Sequence, residues 1–409
     1  MNIDFSNLAS PKREQAQKIL DLLNETEAAQ PPAHTHTHTQ RQALSKEKRI
    51  KITKEIEGLI GASLERQIEI SKLPNKIWHS TCCKILSEAA DPFVPKNQFD
   101  QQFISLINTT RETDYNGLFK IIWDAVNRMK EGSPEAYKNF VEYFAKYPLW
   151  GSFDPDRHDY DTLKRRAAVL KQHSYDFMWL YRRFPDYLSK LTLTAILANW
   201  LVMDTAMLHT VKSVFPDYYE PDIFPDNKDD IFVDIGAYIG DSIINYVNNY
   251  GTGYKKIYAY EITERSCNDM RRNLKDLHDV DIRRKGAAEK PGEMFLSASG
   301  ADPSANQISE NSSGDRVEIV KLDDDIPEGF TFLKMDIEGA EYNALRGAEQ
   351  TIRRCRPKLA ICVYHGYDDI WRIPNLIDSY DPNYTFYLRH NGGNLIPTEF
   401  VLLCKPNET

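Results

Sequence analysis

The sequence predicts an α/β fold, a doubly wound and mostly parallel sheet preceded by an all-helical region. Three observations predict it. After residue 230, apolar runs of strand length alternate with helical patterns, the order that builds a parallel sheet. The first run, Ile231 to Ile235, ends in a turn containing Gly236 and Gly240 and leads into a helix. Between residues 44 and 215, apolar residues recur at helical spacing instead. The expected domains are residues 1–43 (a helix and a linker), 44–215 (all-helical) and 216–409 (the α/β domain).

Composition sets limits on function. The chain has 409 residues, 41% of them hydrophobic and 27% charged. That is enough apolar material for a full core and length enough for two domains or more. The net charge of -9 argues against a nucleic-acid surface, which is normally basic. No run of 18 apolar residues exists, so no membrane span is expected. The start, Met1-Asn-Ile-Asp-Phe5, lacks the pattern of a signal peptide. Cys82, Cys83, Cys267, Cys355, Cys362 and Cys404 form no CxxC pair and read as reduced thiols, so a cytoplasmic protein is expected.

Residues 10–28 read as a helix with Ser10 and Pro11 at its start and Ile19, Leu22 and Leu23 as its stripe. Residues 30–40 hold no large apolar side chain and read as a flexible linker. His34, His36 and His38 alternate there, which leaves weak metal binding as a second reading. Ser45 caps a helix to about Leu59. Helical faces follow around Phe103 to Ile107, Leu118 to Met129 and Tyr137 to Tyr147, then a turn-rich break from Pro148 to Pro155. Two more amphipathic helices are expected around Tyr160 to Arg183 and Ser189 to Ser213. Trp123, Trp150, Trp179, Tyr181 and Trp200 read as core. This half carries no catalytic motif. It is expected to cover the acceptor side of the next domain or to form a homodimer.

The α/β half reads as strands at 231–235, 256–260, 280–285, 330–335 and 359–364, with short extra strands at 293–297 and 317–322. Helices are expected at 239–247, 264–277, 342–353 and 374–380, and a polar loop at 299–315. Strands at 384–389 and 398–405 pair as a terminal antiparallel hairpin.

The chemistry concentrates at strand ends. The turn Asp234-Ile-Gly-Ala-Tyr-Ile-Gly-Asp241 stands where open α/β sheets bind nucleotide-like cofactors. Its two aspartates would repel a pyrophosphate, so the turn favours the sulfonium of S-adenosylmethionine over NAD. Glu261 ends the second strand, where an acid accepts from both ribose hydroxyls, although an ordinary strand-end acid reads the same way. Asp336 and Glu338 end the fourth strand, two apart and so on one face. Glu341 reads as a helix-start acid. His365 closes the fifth strand and reads equally as a general base or a structural histidine. No ligand spacing calls for a metal ion, though the acids would admit a divalent one.

Val233 to Ser242 and Lys334-Met-Asp-Ile-Glu-Gly-Ala-Glu341 resemble the two signatures of the FkbM family of methyltransferases. Leu345-Arg-Gly-Ala348, Arg356-Pro357, His365, Trp371 to Pro374 and Tyr387 to His390 fit in order, so the resemblance covers about residues 229–405. The segment from Pro148 to Tyr219 also resembles what precedes this domain in some bacterial members. Glu261-Ile262 departs from the acid-proline pair common in relatives. The resemblance implies a class I methyltransferase fold, Rossmann-like with seven strands, and O-methylation of sugars, glycans or natural-product scaffolds. It also implies a cofactor site of Asp234, Gly236, Ala237, Tyr238, Gly240, Asp241, Glu261, Ile262, Ala287, Ala288 and Asp336. His365 and Asp336 are the candidate bases, and Glu338 is a catalytic candidate or a holder of a neighbouring sugar hydroxyl. The alternatives are a peptide or protein acceptor, a nicotinamide oxidoreductase, and a helical interaction protein with a silent cofactor domain.

Overall fold

The computed structural model describes residues 2–28, 45–64, 73–226, 228–297, 307–309 and 315–407. His34, His36 and His38, with their linker, lie outside the described residues, as does most of the polar loop at 299–315. The chain forms two compact units, Met1–Trp123 with Arg166–Leu180, and Asp124–Arg165 with Tyr181–Thr409. The expected boundary at 215/216 falls inside the second unit.

The first unit is helical, with helices Ser10–Ala28, Lys46–Ile60, Asn75–Ala90 and Gln98–Glu112. Ser45 accepts from the Lys48 amide and so supplies one of the hydrogen bonds a helix start lacks. Leu20, Ile56, Trp78 and Leu86 belong to one buried cluster. Arg111 reaches Glu88 with both guanidinium ends and lies 3.9 Å from the Tyr175 ring centre.

The second unit is built on a seven-stranded sheet. In chain order its strands are β1 (Ile231–Ile235), β2 (Lys256–Tyr260), β3 (Val280–Arg283), β8 (Phe332–Met335), β9 (Lys358–Cys362), β10 (Tyr384–His390) and β11 (Phe400–Pro406). The spatial order is β10-β11-β9-β8-β1-β2-β3. All pairings are parallel except those of β11 with β10 and β9, as a terminal hairpin requires. The order reverses between β1 and β8, so the crevice of such a fold opens at their carboxyl ends.

Several readings of the sequence change. The helices expected over 160–183 and 189–213 are each two, Asp161–Gln172 with Ser174–Arg183 and Tyr187–Val202 with Thr205–Thr210. The run at 280–285 is two strands, because β4 (Lys285–Ala287) leaves the main sheet to pair with β7 (Arg316–Val320). With β5 (Gly292–Ser297) and β6 (Gln307–Ser309) they form a second sheet in the order β4-β7-β5-β6. The helix expected over 342–353 is two helices, Glu341–Arg346 and Glu349–Cys355. They part at Gly347, which faces the Ala288 carbonyl so closely that a Cβ would stand 2.2 Å from that oxygen.

The helix Tyr187–Val202 is buried along most of its length. Its Ser189 hydroxyl accepts from the Leu388 amide of β10, and Arg389 reaches Asp186 at 2.7 Å and Glu220. Gly347→Ala should therefore cost about 1–3 kcal/mol, the usual range for overpacking. A urea midpoint unchanged from that of the parent would contradict the close approach.

Candidate active site

A cavity of about 620 Å³ opens at the carboxyl ends of β1, β2 and β8. Two short turns meet at its floor. Gly236 follows β1 with φ +82°, and a Cβ there would lie 1.9 Å from the Asp336 carbonyl oxygen, which follows β8. Only glycine combines that dihedral with that approach. Behind the turns Lys334 makes a buried ion pair with Asp234 at 3.0 Å and donates to the Gly236 carbonyl at 2.9 Å. The Ser242 hydroxyl also donates to Asp234.

The structure divides the residues singled out in sequence. Gly236, Tyr238, Asp241, Glu261, Ile262, Ala287, Ala288, Asp336 and Glu338 line the cavity. Asp234, Ala237, Gly240 and His365 are not among its lining residues. Asp234 is fully buried because its strand position points it at Lys334 and Ser242. Ala237 and Gly236 each donate a backbone N–H to the Tyr260 carbonyl, which carries the turn across β2. Glu261 receives the amides of Tyr238 and Thr263 at 3.1 and 2.8 Å, so its carboxylate is held at the cavity wall. Burial raises its pKa against those hydrogen bonds.

At the other end Asp336 accepts from the Tyr218 hydroxyl at 2.8 Å. Burial would raise its pKa, but Lys334, then His365 and Tyr218, lower it, so it is a carboxylate. Glu338 follows with φ +55°, a strained angle for a side chain of its size. His365 stands behind both, 3.4 Å from Asp336 and 3.6 Å from Glu338 by Nε2, with Nδ1 2.8 Å from Glu341. Burial works against its charge, yet Glu341, Asp336 and Glu338 prevail and raise its pKa to about 10. At neutral pH the ring therefore already carries the proton a base would need to take.

Several cavity residues gave no readable sequence signal. Tyr218, Asp217, Tyr364, Glu399 and Leu149 line it, and Trp150 fixes the adjoining turn by donating to the Tyr364 carbonyl at 2.5 Å. Burial, then Asp336, raises Glu399 to a pKa of about 7. Glu341 does more than start a helix. It is fully buried, receives the Ile337 amide and holds His365. Six carboxylates (Asp217, Asp241, Glu261, Asp336, Glu338, Glu399) face two lysines (Lys285, Lys334) around the cavity, which disfavours a pyrophosphate and suits a cation.

Residues 234–392 match the family model of the methyltransferase FkbM domain. Among solved structures the chain is similar to a methyltransferase FkbM from Methylobacillus flagellatus KT, at 25% identity and a TM-score of 0.47, over 58% of this chain. That match spans 62% of the Methylobacillus chain, less than two thirds of its length. An rRNA methylase from Streptococcus thermophilus is similar at 16% identity over 44% of this chain and 89% of its own, with a TM-score of 0.31. A fibrillarin from Aeropyrum pernix, holding S-adenosyl-L-methionine, is similar at 9% identity over 44% of this chain and 67% of its own, with a TM-score of 0.27. No curated protein matches the sequence.

Removing one partner of the buried Asp234–Lys334 pair should cost about 3–5 kcal/mol, because the other charge is left uncompensated. Asp234→Ala should show that loss in urea unfolding, and Asp234→Leu with Lys334→Met should recover most of it. His365 adds a pH signature. Its folded pKa lies above the ordinary value, so its stabilisation is full below about pH 6.5. It is lost as pH rises towards 10. Unfolding measured from pH 6 to 10 should show this decline in the parent and a flatter profile in His365→Gln.

Proposed function

We propose that this chain, whose residues 234–392 form an FkbM-type methyltransferase domain with S-adenosylmethionine as its cofactor, transfers the methyl group to a hydroxyl of a sugar, a glycan or a natural-product scaffold. One observation carries the reading. A single cavity runs from Glu261 and Ala287–Ala288, past Gly236, to Asp336 and Glu338. A donor bound along the first part would present its sulfonium methyl to the second.

In this reading Glu261 holds the ribose hydroxyls, and Ile262, Ala287 and Ala288 flank the adenine. Gly236 and Tyr238 offer backbone to the cofactor, and Asp241 adds negative charge beside it. Asp336 also borders the methyl group. Asp234, Ala237 and Gly240 shape the turn from behind instead of touching the cofactor. The acceptor oxygen attacks the methyl carbon in line with the departing sulfur, so alignment and exclusion of water supply most of the catalysis. Asp336 orients the acceptor hydroxyl and takes its proton, and Glu338 holds a neighbouring hydroxyl. His365 serves as the positive charge that keeps those carboxylates together. No described helix is long and apolar enough to cross a membrane. The six free cysteines support a cytoplasmic setting for the reaction.

Calorimetry should show binding of S-adenosylmethionine and its demethylated product but not of NAD. Glu261→Ala should weaken that binding. Asp336→Asn should lower turnover by about 10²–10⁴-fold, the contribution of a positioned proton acceptor, with cofactor affinity nearly unchanged. Tight binding of NAD alone would overturn the proposal. Mass spectrometry of glycan and metabolite pools incubated with enzyme and labelled cofactor should identify a methylated hydroxyl.

A further inference from the structure

We infer that Asp336, Tyr364 and Glu399 form a proton relay at the acceptor end of the cavity, in which Glu399 finally holds the proton released by methyl transfer. This role rests on the methyltransfer reading; the linkage of the three side chains does not.

The three residues stand at the ends of neighbouring strands. Asp336 follows β8, Tyr364 lies two residues beyond β9, and Glu399 immediately precedes β11. β8 pairs with β9 and β9 with β11, and the antiparallel register of Val401 with Cys362, continued two residues, sets Glu399 opposite Tyr364. All three line the cavity. The Tyr364 hydroxyl stands 3.5 Å from Asp336 Oδ1 and also hydrogen-bonds the Glu399 carboxyl. The first contact is long for a hydrogen bond, as catalytic contacts often are before substrate binds. Trp150 fixes the tyrosine by donating to its carbonyl. Glu399 holds φ +51°, a strained angle of the kind that clusters at functional sites.

One hydroxyl hydrogen lies between two carboxyl groups, so a further proton is needed to satisfy both. The two differ in their hold on it. Burial opposes the charge of Asp336, yet Lys334 and then His365 keep it below the usual carboxylate range, so it readily gives up a proton it takes. Burial, then Asp336, raise Glu399 to about 7, with Asp217 adding to them and Tyr364 and His365 opposing. Tyr143, Tyr218 and Cys362 also face Glu399, and burial raises the pKa of each, so these three stay neutral.

The acceptor oxygen forms its bond to the methyl carbon as the C–S bond breaks and its electron pair returns to sulfur. The acceptor O–H proton passes to Asp336. Asp336 then gives a proton to Tyr364 as Tyr364 gives its own to Glu399, so no tyrosinate forms. Above pH 7 Glu399 is ionised and accepts; below it Glu399 already carries a proton and the relay is blocked.

Infrared difference spectra of the full chain from pH 5 to 9, with no cofactor or acceptor, should show a carboxyl titrating near pH 7 that is lost in Glu399→Gln. The Asp369 carboxyl, at about 6, should remain. Tyr364→Phe removes a hydrogen bond to the carboxylate and should move the Glu399 titration to higher pH. Asp217→Asn removes a like charge and should move it to lower pH. With labelled S-adenosylmethionine and glycan and metabolite pools, label transfer by the parent should fall as pH drops through 7. Glu399→Gln and Tyr364→Phe should each lower it by at least about tenfold at pH 8, with affinity for S-adenosylmethionine unchanged by calorimetry. Circular dichroism melts identify a variant that fails to fold, and the other then carries the comparison. The relay is overturned if Glu399→Gln removes no titration near pH 7, if Tyr364→Phe leaves that titration in place, or if both folded variants transfer label at the parent rate. No label transfer by the parent overturns the methyltransfer reading and with it this role, whereas the infrared shifts still decide whether the three side chains are linked.

Discussion

The buried pair of Asp234 and Lys334 is the constraint on which the rest of this site depends. Each charge lies in the sheet interior, where it is tolerated only because the other is there. Lys334 also holds the Gly236 carbonyl, so one ammonium group ties the end of β1 to the end of β8. That tie brings Gly236 against the Asp336 backbone at a distance no other residue allows. The two turns are thus set relative to one another by a buried ion pair at the floor of the cavity.

Charge in front of this tie follows from the same arrangement. Lys334 lowers the pKa of Asp336 as well as balancing Asp234. Glu338, Glu341 and His365 then form a second charged layer in which one imidazole faces three carboxylates. Glu399, with burial and Asp336 both acting on it, stands at the other edge. A cavity of this character favours cationic ligands and disfavours anionic ones.

The sheet was legible from apolar runs and their alternation, because a strand buried on both faces is apolar at nearly every position. β2 matches its expected limits residue for residue. The splitting of the run at 280–285 was not legible, since β-branching and polarity do not reveal which sheet a strand joins. Nor was the break at Gly347, which depends on the Ala288 carbonyl in a distant loop. The cavity acids at strand ends were readable from the turn that holds them. Asp234 was readable as important, yet its role depends on where its side chain points. Tyr218, Asp217 and Glu399 come from connecting segments with no motif, and only folding brings them to the cavity. His365 could be found as a strand-end histidine, but its protonation depends on Glu341, whose burial the sequence does not display.

The most direct test is a crystal structure of the chain with S-adenosylhomocysteine. The account predicts the ribose hydroxyls on Glu261, the adenine beside Ala287 and Ala288, and the sulfur turned towards Asp336 across Gly236. A nucleoside bound elsewhere, or a sulfur directed away from Asp336, would contradict it.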